Sequence, residues 1–397
     1  MEGEKMEYIV KGNDTESIQK MIDFAAENGG GKVVLPPGVY EGATFFLKSN
    51  IHLHIENGAV LKGIPDYRLY SDFRHPGLDA VAPEDSRKCF IGASECENIT
   101  ISGNGIIDGN GEGFFDPATP PECVYRKPPY PRPRMLQLYK CRNVHIEGVT
   151  FHNSPNWTMW LADCEDVRIS GIRIHTMRRI PNGDGIDMDC CKRVTVSDSL
   201  FDTSDDCLIL RAIRKDKNTP AICEHINVTN CVLSSRCQGI RMGCPSDDTI
   251  RHCSFSNIIF RGGGSGIHCE SPYRYLRKDC TGYMHISDIA FNNFDIESGR
   301  YPVRIGCEGA IALRGIERIS FTNFRIKAKV PIYLEGNANT ILKEISFNNV
   351  SGTVEGTSPI YACYVQNLKL NNFDLTAVTG EAPEFQREDS PSWETKF

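Results

Sequence analysis

The residues best equipped for chemistry in this chain are carboxylates. From Pro181 the sequence reads Pro-Asn-Gly-Asp-Gly-Ile-Asp-Met-Asp-Cys-Cys, and a little later Ser204-Asp-Asp-Cys207. Asp184 precedes Asp205 and Asp206 by 21 and 22 residues. A chain that coils with a period near that spacing sets the three acids side by side. Neighbouring carboxylates repel, so at least one should hold its proton to higher pH. That pairs a general acid with a general base at neutral pH. Cleavage of a glycosidic bond needs such a pair: one carboxylic acid protonates the leaving oxygen while another carboxylate activates water or attacks. Other readings stay open on spacing alone. Three or four Asp oxygens suit calcium. Asp187 and Asp189 alternate with Ile186 and Met188, as the outer face of a strand does. Asp202 reads as a turn residue.

A period of the required size runs through the sequence. A tetrad of apolar, any, Asn/Asp/Gly and usually apolar begins at Ile101, Ile146, Ile169, Val196, Val228, Phe255, Phe291, Phe321, Phe347 and Leu370, mostly 23 to 36 residues apart. A short alternating strand precedes each, as in Val194-Thr-Val, and a second often follows, as in Ile258-Ile-Phe. Helical repeats need 3.6-residue periodicity, which is missing here, and a propeller blade needs about 40 residues. The pattern predicts an all-β parallel β-helix of about ten coils, with stacked Asn at the turns and Ile, Val, Phe and Cys inside.

The ends read differently. Residues 14–28 predict a helix with Ile18, Met21, Ile22 and Ala25 on one face, stopped by Gly29-Gly-Gly, which covers the open edge of the first coil. Residues 116–134 hold seven prolines and read as a long insertion loop. The expected organisation is one domain over residues 1–380, with a cap region at 12–45, and a polar tail at 381–397.

The chain has 397 residues and a net charge of −7; it is 40% apolar and 24% charged. These values exclude a disordered chain and argue against a nucleic-acid partner. No apolar run approaches 18 residues, so no membrane helix is expected. The 17 cysteines show no Cys-x-x-Cys spacing, and the start, Met-Glu-Gly-Glu-Lys, has no secretory pattern. The expectation is a cytoplasmic protein whose cysteines are mostly reduced, small buried hydrophobes. Cys141, Cys164 and Cys191 each begin a coil just ahead of its strand.

Asn182-Gly-Asp184, followed about one coil later by Ser204-Asp-Asp-Cys207, resembles glycoside hydrolase family 28, the polygalacturonase family. So do Asp14-Thr-Glu-Ser-Ile-Gln, Gly29-Gly-Gly-Lys-Val-Val-Leu-Pro-Pro-Gly-Val-Tyr40, Phe46-Leu-Lys-Ser-Asn-Ile-His-Leu, Arg132-Pro-Arg134 and Asn153-Ser-Pro-Asn-Trp157. The resemblance spans residues 12 to 375. It implies a right-handed parallel β-helix and hydrolysis with inversion, with Asp205 as general acid and Asp184 and Asp206 holding and activating the water. It implies no metal and no cofactor. Inversion needs carboxyl groups roughly 6.5–9.5 Å apart.

Three positions depart from the family pattern. The family usually has Asn-Thr-Asp where Gly183 stands. Its Gly-His-Gly falls near Cys237-Gln238-Gly239, and Gln cannot titrate. Its Arg-Ile-Lys, which grips the sugar carboxylate, falls near His268-Cys269-Glu270, where an acid repels a uronate. Arg211 and Arg241 are the candidate replacement cations, on the catalytic side by strand alternation. Trp157, one coil before the acids, is the favoured sugar-stacking ring; Trp160, Tyr125 and Tyr130 are further aromatics, and Tyr273 can wall a loop. The expected partner is an oligosaccharide derived from pectin or related to it, cut from a chain end, with loop 116–134 closing the groove. The alternatives are a lyase or epimerase on the same scaffold and a non-catalytic carbohydrate-binding solenoid. Sequence carries no signal for oligomeric state.

Overall fold

The structure is a computed structural model that describes residues 6–73, 87–216, 218–273, 276 and 284–378. The expected tail at 381–397 lies outside the described residues. The chain divides into two compact units, Met1–Asp206 and Cys207–Phe397. Each is a stack of parallel coils, and no helix among the described residues is long and apolar enough to cross a membrane.

In the N-terminal unit a coil contributes one strand to each of three parallel ladders. Arg142–Glu147, Thr150–His152 and Met159–Ala162 make one coil; Glu165–Ser170, Arg173–His175 and Ile186–Asp189 make the next. Register stacks like on like. Ile91, Leu136, Met159 and Ile186 occupy one column of the third ladder, and none of them is exposed. Cys164 and Cys191 are buried, and their thiols donate to the carbonyls of Leu138 (3.5 Å) and Leu161 (3.2 Å) of the preceding coil. The described cysteines are free, and most are buried.

In the C-terminal unit a coil carries one long strand and one short one. Ile222–Ser235, Thr249–Gly262, His285–Ser298, Gly315–Ala328 and Leu342–Glu355 each run 14 residues and pair in parallel. Phe255, Phe291, Phe321 and Phe347 stack face to face with centroids 4.6–5.0 Å apart. Each is essentially unexposed, and burying one phenylalanine contributes roughly 1.5–3 kcal/mol. The short ladder runs through Leu208–Arg211, Gln238–Met242, Ser265–Ser271, Val303–Cys307, Ile332–Glu335 and Ile360–Cys363.

The tetrad of the sequence is a corner. Its third residue has positive φ in all ten copies: Gly103, Gly148, Gly171, Asp198, Asn230, Asn257, Asn293, Asn323, Asn349 and Asn372. Gly, Asn and Asp are the residues that enter the left-handed region at least cost. In the C-terminal unit the five Asn-to-Asn steps from Asn230 to Asn372 are each bridged by a side-chain amide donating to the preceding carbonyl, at 2.8–3.0 Å. Each such bond adds about 1 kcal/mol.

The helix forms at Thr15–Glu27, N-capped by Asp14, whose carboxylate accepts the Ser17 amide at 2.7 Å. Ile18, Ile22 and Ala25 are buried as the pattern requires, while Met21 is only half-buried. Gln19 explains how the helix closes the coil edge. Its carbonyl accepts the Phe46 amide (2.6 Å) and its amide donates to the Phe46 carbonyl (3.1 Å), which satisfies an edge strand that would otherwise be open to pairing.

Candidate functional site

In the N-terminal unit the three aspartates sit on turns between strands. Asp184 precedes the strand Ile186–Asp189, and Asp205 and Asp206 follow Leu200–Thr203. Backbone bonds join the two turns: the Gly185 amide donates to the Asp206 carbonyl at 2.8 Å and the Asp205 amide to the Gly183 carbonyl at 3.5 Å, while the Thr158 amide of the preceding coil donates to the Asp184 carbonyl at 2.9 Å. Asp184 and Asp206 are buried at 3% and 1% exposure, and Asp205 is half-buried. Carboxylate oxygens of Asp205 and Asp206 approach within 4.8 Å of each other.

The turn at Asp184 is held from the proline-rich segment. Arg132 donates to the carbonyls of Pro155 (2.5 Å) and Pro181 (2.7 Å) and to the side chain of Asn182 (3.1 Å), whose own φ is 58°. Asn182 is thus a scaffold of the turn. Gly183 has a local cause. A Cβ there would stand 2.2 Å from Ser204 Oγ and 2.3 Å from Thr176 Cγ2, so the neighbours already fill the space a Thr would need. Arg179 ties down the same segment by donating to the carbonyls of Thr119, Pro120 and Cys123 at 2.7–2.9 Å.

Asp187 and Asp189 lie on the outer strand face, as their alternation indicates, yet neither is exposed. Asp187 is in register with Trp160 and, one coil earlier, Gln137. Asp202 is not a turn residue. It stands in a strand column with Asp108, His152 and His175, the two imidazoles stacked at 5.4 Å. The outer face of a short strand and a turn carry the same polar signal, and only register separates them.

Trp157 is buried, and its ring is not open on both faces. The Arg134 guanidinium lies 4.0 Å from its centroid and 4.2 Å from that of Trp160. Tyr125 stacks on Phe115 at 4.8 Å and Tyr130 on Tyr67 at 4.4 Å, so both are engaged in packing.

In the C-terminal unit the short ladder gathers Arg241, His268 and Glu270. Arg241 Nη2 is 3.2 Å from Glu270 Oε1 and 2.7 Å from Cys244 Sγ; His268 Nε2 is 3.0 Å from Glu270 Oε2. Burial favours the neutral form of Glu270, but the His268 contact and the charges of Arg241 and Arg304 outweigh it and hold the carboxyl well below its ordinary range. Burial pulls the His268 imidazole below its usual value against the pull of Glu270. Arg241 is therefore partnered by the very Glu that replaces the family's cation. Gln238 is buried, and its backbone carbonyl accepts the Cys207 amide at 2.9 Å; Arg211 is buried at 4% exposure. Tyr273 is exposed and pins a loop: its hydroxyl accepts the Ala310 amide, and its own amide donates to Glu308, each at 2.7 Å.

Sequence reasoning missed Arg304. It is in register with His268, and it influences both His268 and Glu270. The signal was the alternation of Val303-Arg-Ile, without the long-range register needed to place it.

Fold and site define a solenoid protein with clustered carboxylates on its turns. The sequence model of glycosyl hydrolases family 28 matches residues 79–305, more than half of the chain, and the protein belongs to that family. The probable exopolygalacturonase B of Aspergillus flavus is 26% identical over 313 residues, covering 72% of this chain and 63% of that one. The chain thus spans somewhat less than two thirds of that relative. The endo-polygalacturonase of Pectobacterium carotovorum subsp. carotovorum is 22% identical over 354 residues, 79% of this chain and 86% of that one. The hyperthermoactive exopolygalacturonase from Thermotoga maritima superposes with a TM-score of 0.73 at 24% identity, covering 93% and 91% of the two chains. The family 28 exopolygalacturonase of Yersinia enterocolitica gives 0.70 at 17% identity, covering 94% and 79%. These likenesses bear out the parallel β-helix.

Proposed function

We propose that the chain is a polygalacturonase-type glycosidase that cuts acidic, pectin-derived oligosaccharides from a chain end with inversion. The observation that carries the glycosidase reading is the pairing of Asp205 and Asp206 on a turn bonded to the turn of Asp184, in a member of family 28. Inversion rests on the family resemblance, because an approach within 4.8 Å is shorter than the roughly 6.5–9.5 Å that inverting carboxyl pairs keep. Asp205 donates its proton to the leaving oxygen as the glycosidic bond breaks. Asp184 and Asp206 orient a water and take up its proton as it attacks the anomeric carbon from the opposite face. Burial and the neighbouring carboxylates set the acid's protonation. The test is the anomer first released from oligogalacturonides, followed by NMR. The inverted anomer is expected; the retained one refutes the mechanism. Rapid viscosity loss on polymeric substrate refutes chain-end action.

The departures at Gln238 and Glu270 favour one second reading, a carbohydrate-binding solenoid without catalysis. Asp205→Asn separates the two: an enzyme loses turnover, whereas a binder that never turned over keeps its affinity.

A further inference from the structure

Two arginines of the short ladder in the C-terminal unit stand in contrasting company. Arg241, His268, Arg304, Tyr333 and Tyr361 follow one another in register on successive strands. Arg241 is neutralised by Glu270 at 3.2 Å. Arg304 has no such partner: among the described residues no carboxylate comes within ion-pairing distance of it, and its buried Nε has no hydrogen-bond acceptor. On the adjoining strand His268 Nδ1 is likewise buried without a hydrogen bond. The Arg304 guanidinium is held by ring faces, 5.2 Å from the Tyr301 centroid and 5.8 Å from that of Tyr333. It lies against Gly306, where a Cβ would stand 3.7 Å from Nε. The rings continue along the column, with Tyr333 and Tyr361 centroids 6.0 Å apart and the Tyr361 hydroxyl fixed by Thr357 at 2.9 Å. All three tyrosines are half-buried, so each keeps some surface open to solvent.

A cation packed against aromatic faces, with no carboxylate within ion-pairing distance and an unbonded Nε, is complementary to a carboxylate, which a guanidinium can bind through two parallel hydrogen bonds. Tyrosine faces suit the apolar face of a sugar ring. Two strand steps from Arg304 to Tyr361 span roughly 10 Å, enough for more than one sugar residue.

We propose that Arg304, Tyr333 and Tyr361 form a further recognition site for an acidic oligosaccharide: the guanidinium receives a hexuronate carboxylate and the tyrosines carry the rings. The choice of a uronate rests on the substrate class proposed above, while the demand for a carboxylate rests on Arg304 itself.

The experiment is calorimetric titration of trigalacturonate, and of its fully methyl-esterified form, into the full chain carrying Asp205→Asn to prevent turnover. The acid should bind at least tenfold more tightly than the ester. Arg304→Gln should erase that preference, and Arg304→Lys should restore part of it. Tyr361→Ala and Tyr333→Ala should each weaken both ligands several-fold. Equal affinity for acid and ester, a preference that survives Arg304→Gln, or no binding of either ligand overturns the proposal. If Arg304→Gln does not fold, Arg304→Lys and Tyr361→Ala decide in its place: affinities unchanged in both overturn it. Sugar release by the wild-type chain is measured separately. Arg304-dependent binding without any release sinks the glycosidase reading and leaves this site standing.

Discussion

The two units carry their polar chemistry on different parts of a coil. In the N-terminal unit the acids ride on turns, where Gly183, the left-handed Asn182 and the Arg132 contacts set their positions. In the C-terminal unit the polar groups stand within strands, and Arg241, His268 and Arg304 are spaced by register. A turn positions a group through a few local bonds, so one wrong neighbour displaces it. A ladder positions a group through many equivalent bonds and tolerates change at any one of them. Groups on turns should therefore answer to steric change, and groups on strands to loss of charge balance.

Asp205→Asn should have the largest effect, lowering kcat by about 10³-fold or more in a reducing-sugar assay while the melting temperature holds. An unchanged kcat would take the chemistry away from the turns. Next, Glu270→Ala strips a mostly buried ion pair from Arg241, at a cost of about 3 kcal/mol or more in urea unfolding. Because the Glu270 carboxyl is held below its ordinary value, that stability should be fully present above the ordinary glutamate pKa and fade only as pH falls below it. Gly183→Thr, which restores the family's usual residue, should cost about 1–3 kcal/mol here because Ser204 and Thr176 occupy the space. Activity should fall with it, and a stable, active variant would show that the turn yields. Asn323→Ala removes two ladder bonds and puts alanine at φ 59°, for about 1–2 kcal/mol; Asn323→Gly should recover part of that.

The smallest effect is expected at His152, whose pKa is raised chiefly by its contact with Asp108. A raised value means the contribution is present below the ordinary histidine pKa and is lost as pH rises through the folded one. The melting difference between wild type and His152→Gln should therefore shrink from pH 5.5 to 8.

This contrast also explains what could be read in advance. The corner tetrads were legible because each obeys a local rule, that its third residue enters the left-handed region. The acids were legible because Asn182-Gly-Asp184 and Asp205-Asp206 are short strings. Arg304 was not, because a cation within a strand is identified by the residue one coil away. Coils here vary in length: 27 residues separate Arg241 from His268 and 36 separate His268 from Arg304. The partnering of Arg241 by Glu270 was hidden for the same reason, as was the strand position of Asp202. Burial of Asp187 was hidden because outer-face alternation does not say what covers the face.

The asparagine corners carry a kinetic consequence. Each amide from Asn257 to Asn372 reaches only the corner of the preceding coil, so order need never close a loop longer than one coil. Growth by neighbour steps makes the C-terminal stack behave as a zipper with a starting end and a fraying end. Lys369–Val378 pairs on one side only among the described residues, and most of its side chains are exposed. Its amides should exchange first, and protection should climb coil by coil toward Ile222–Ser235.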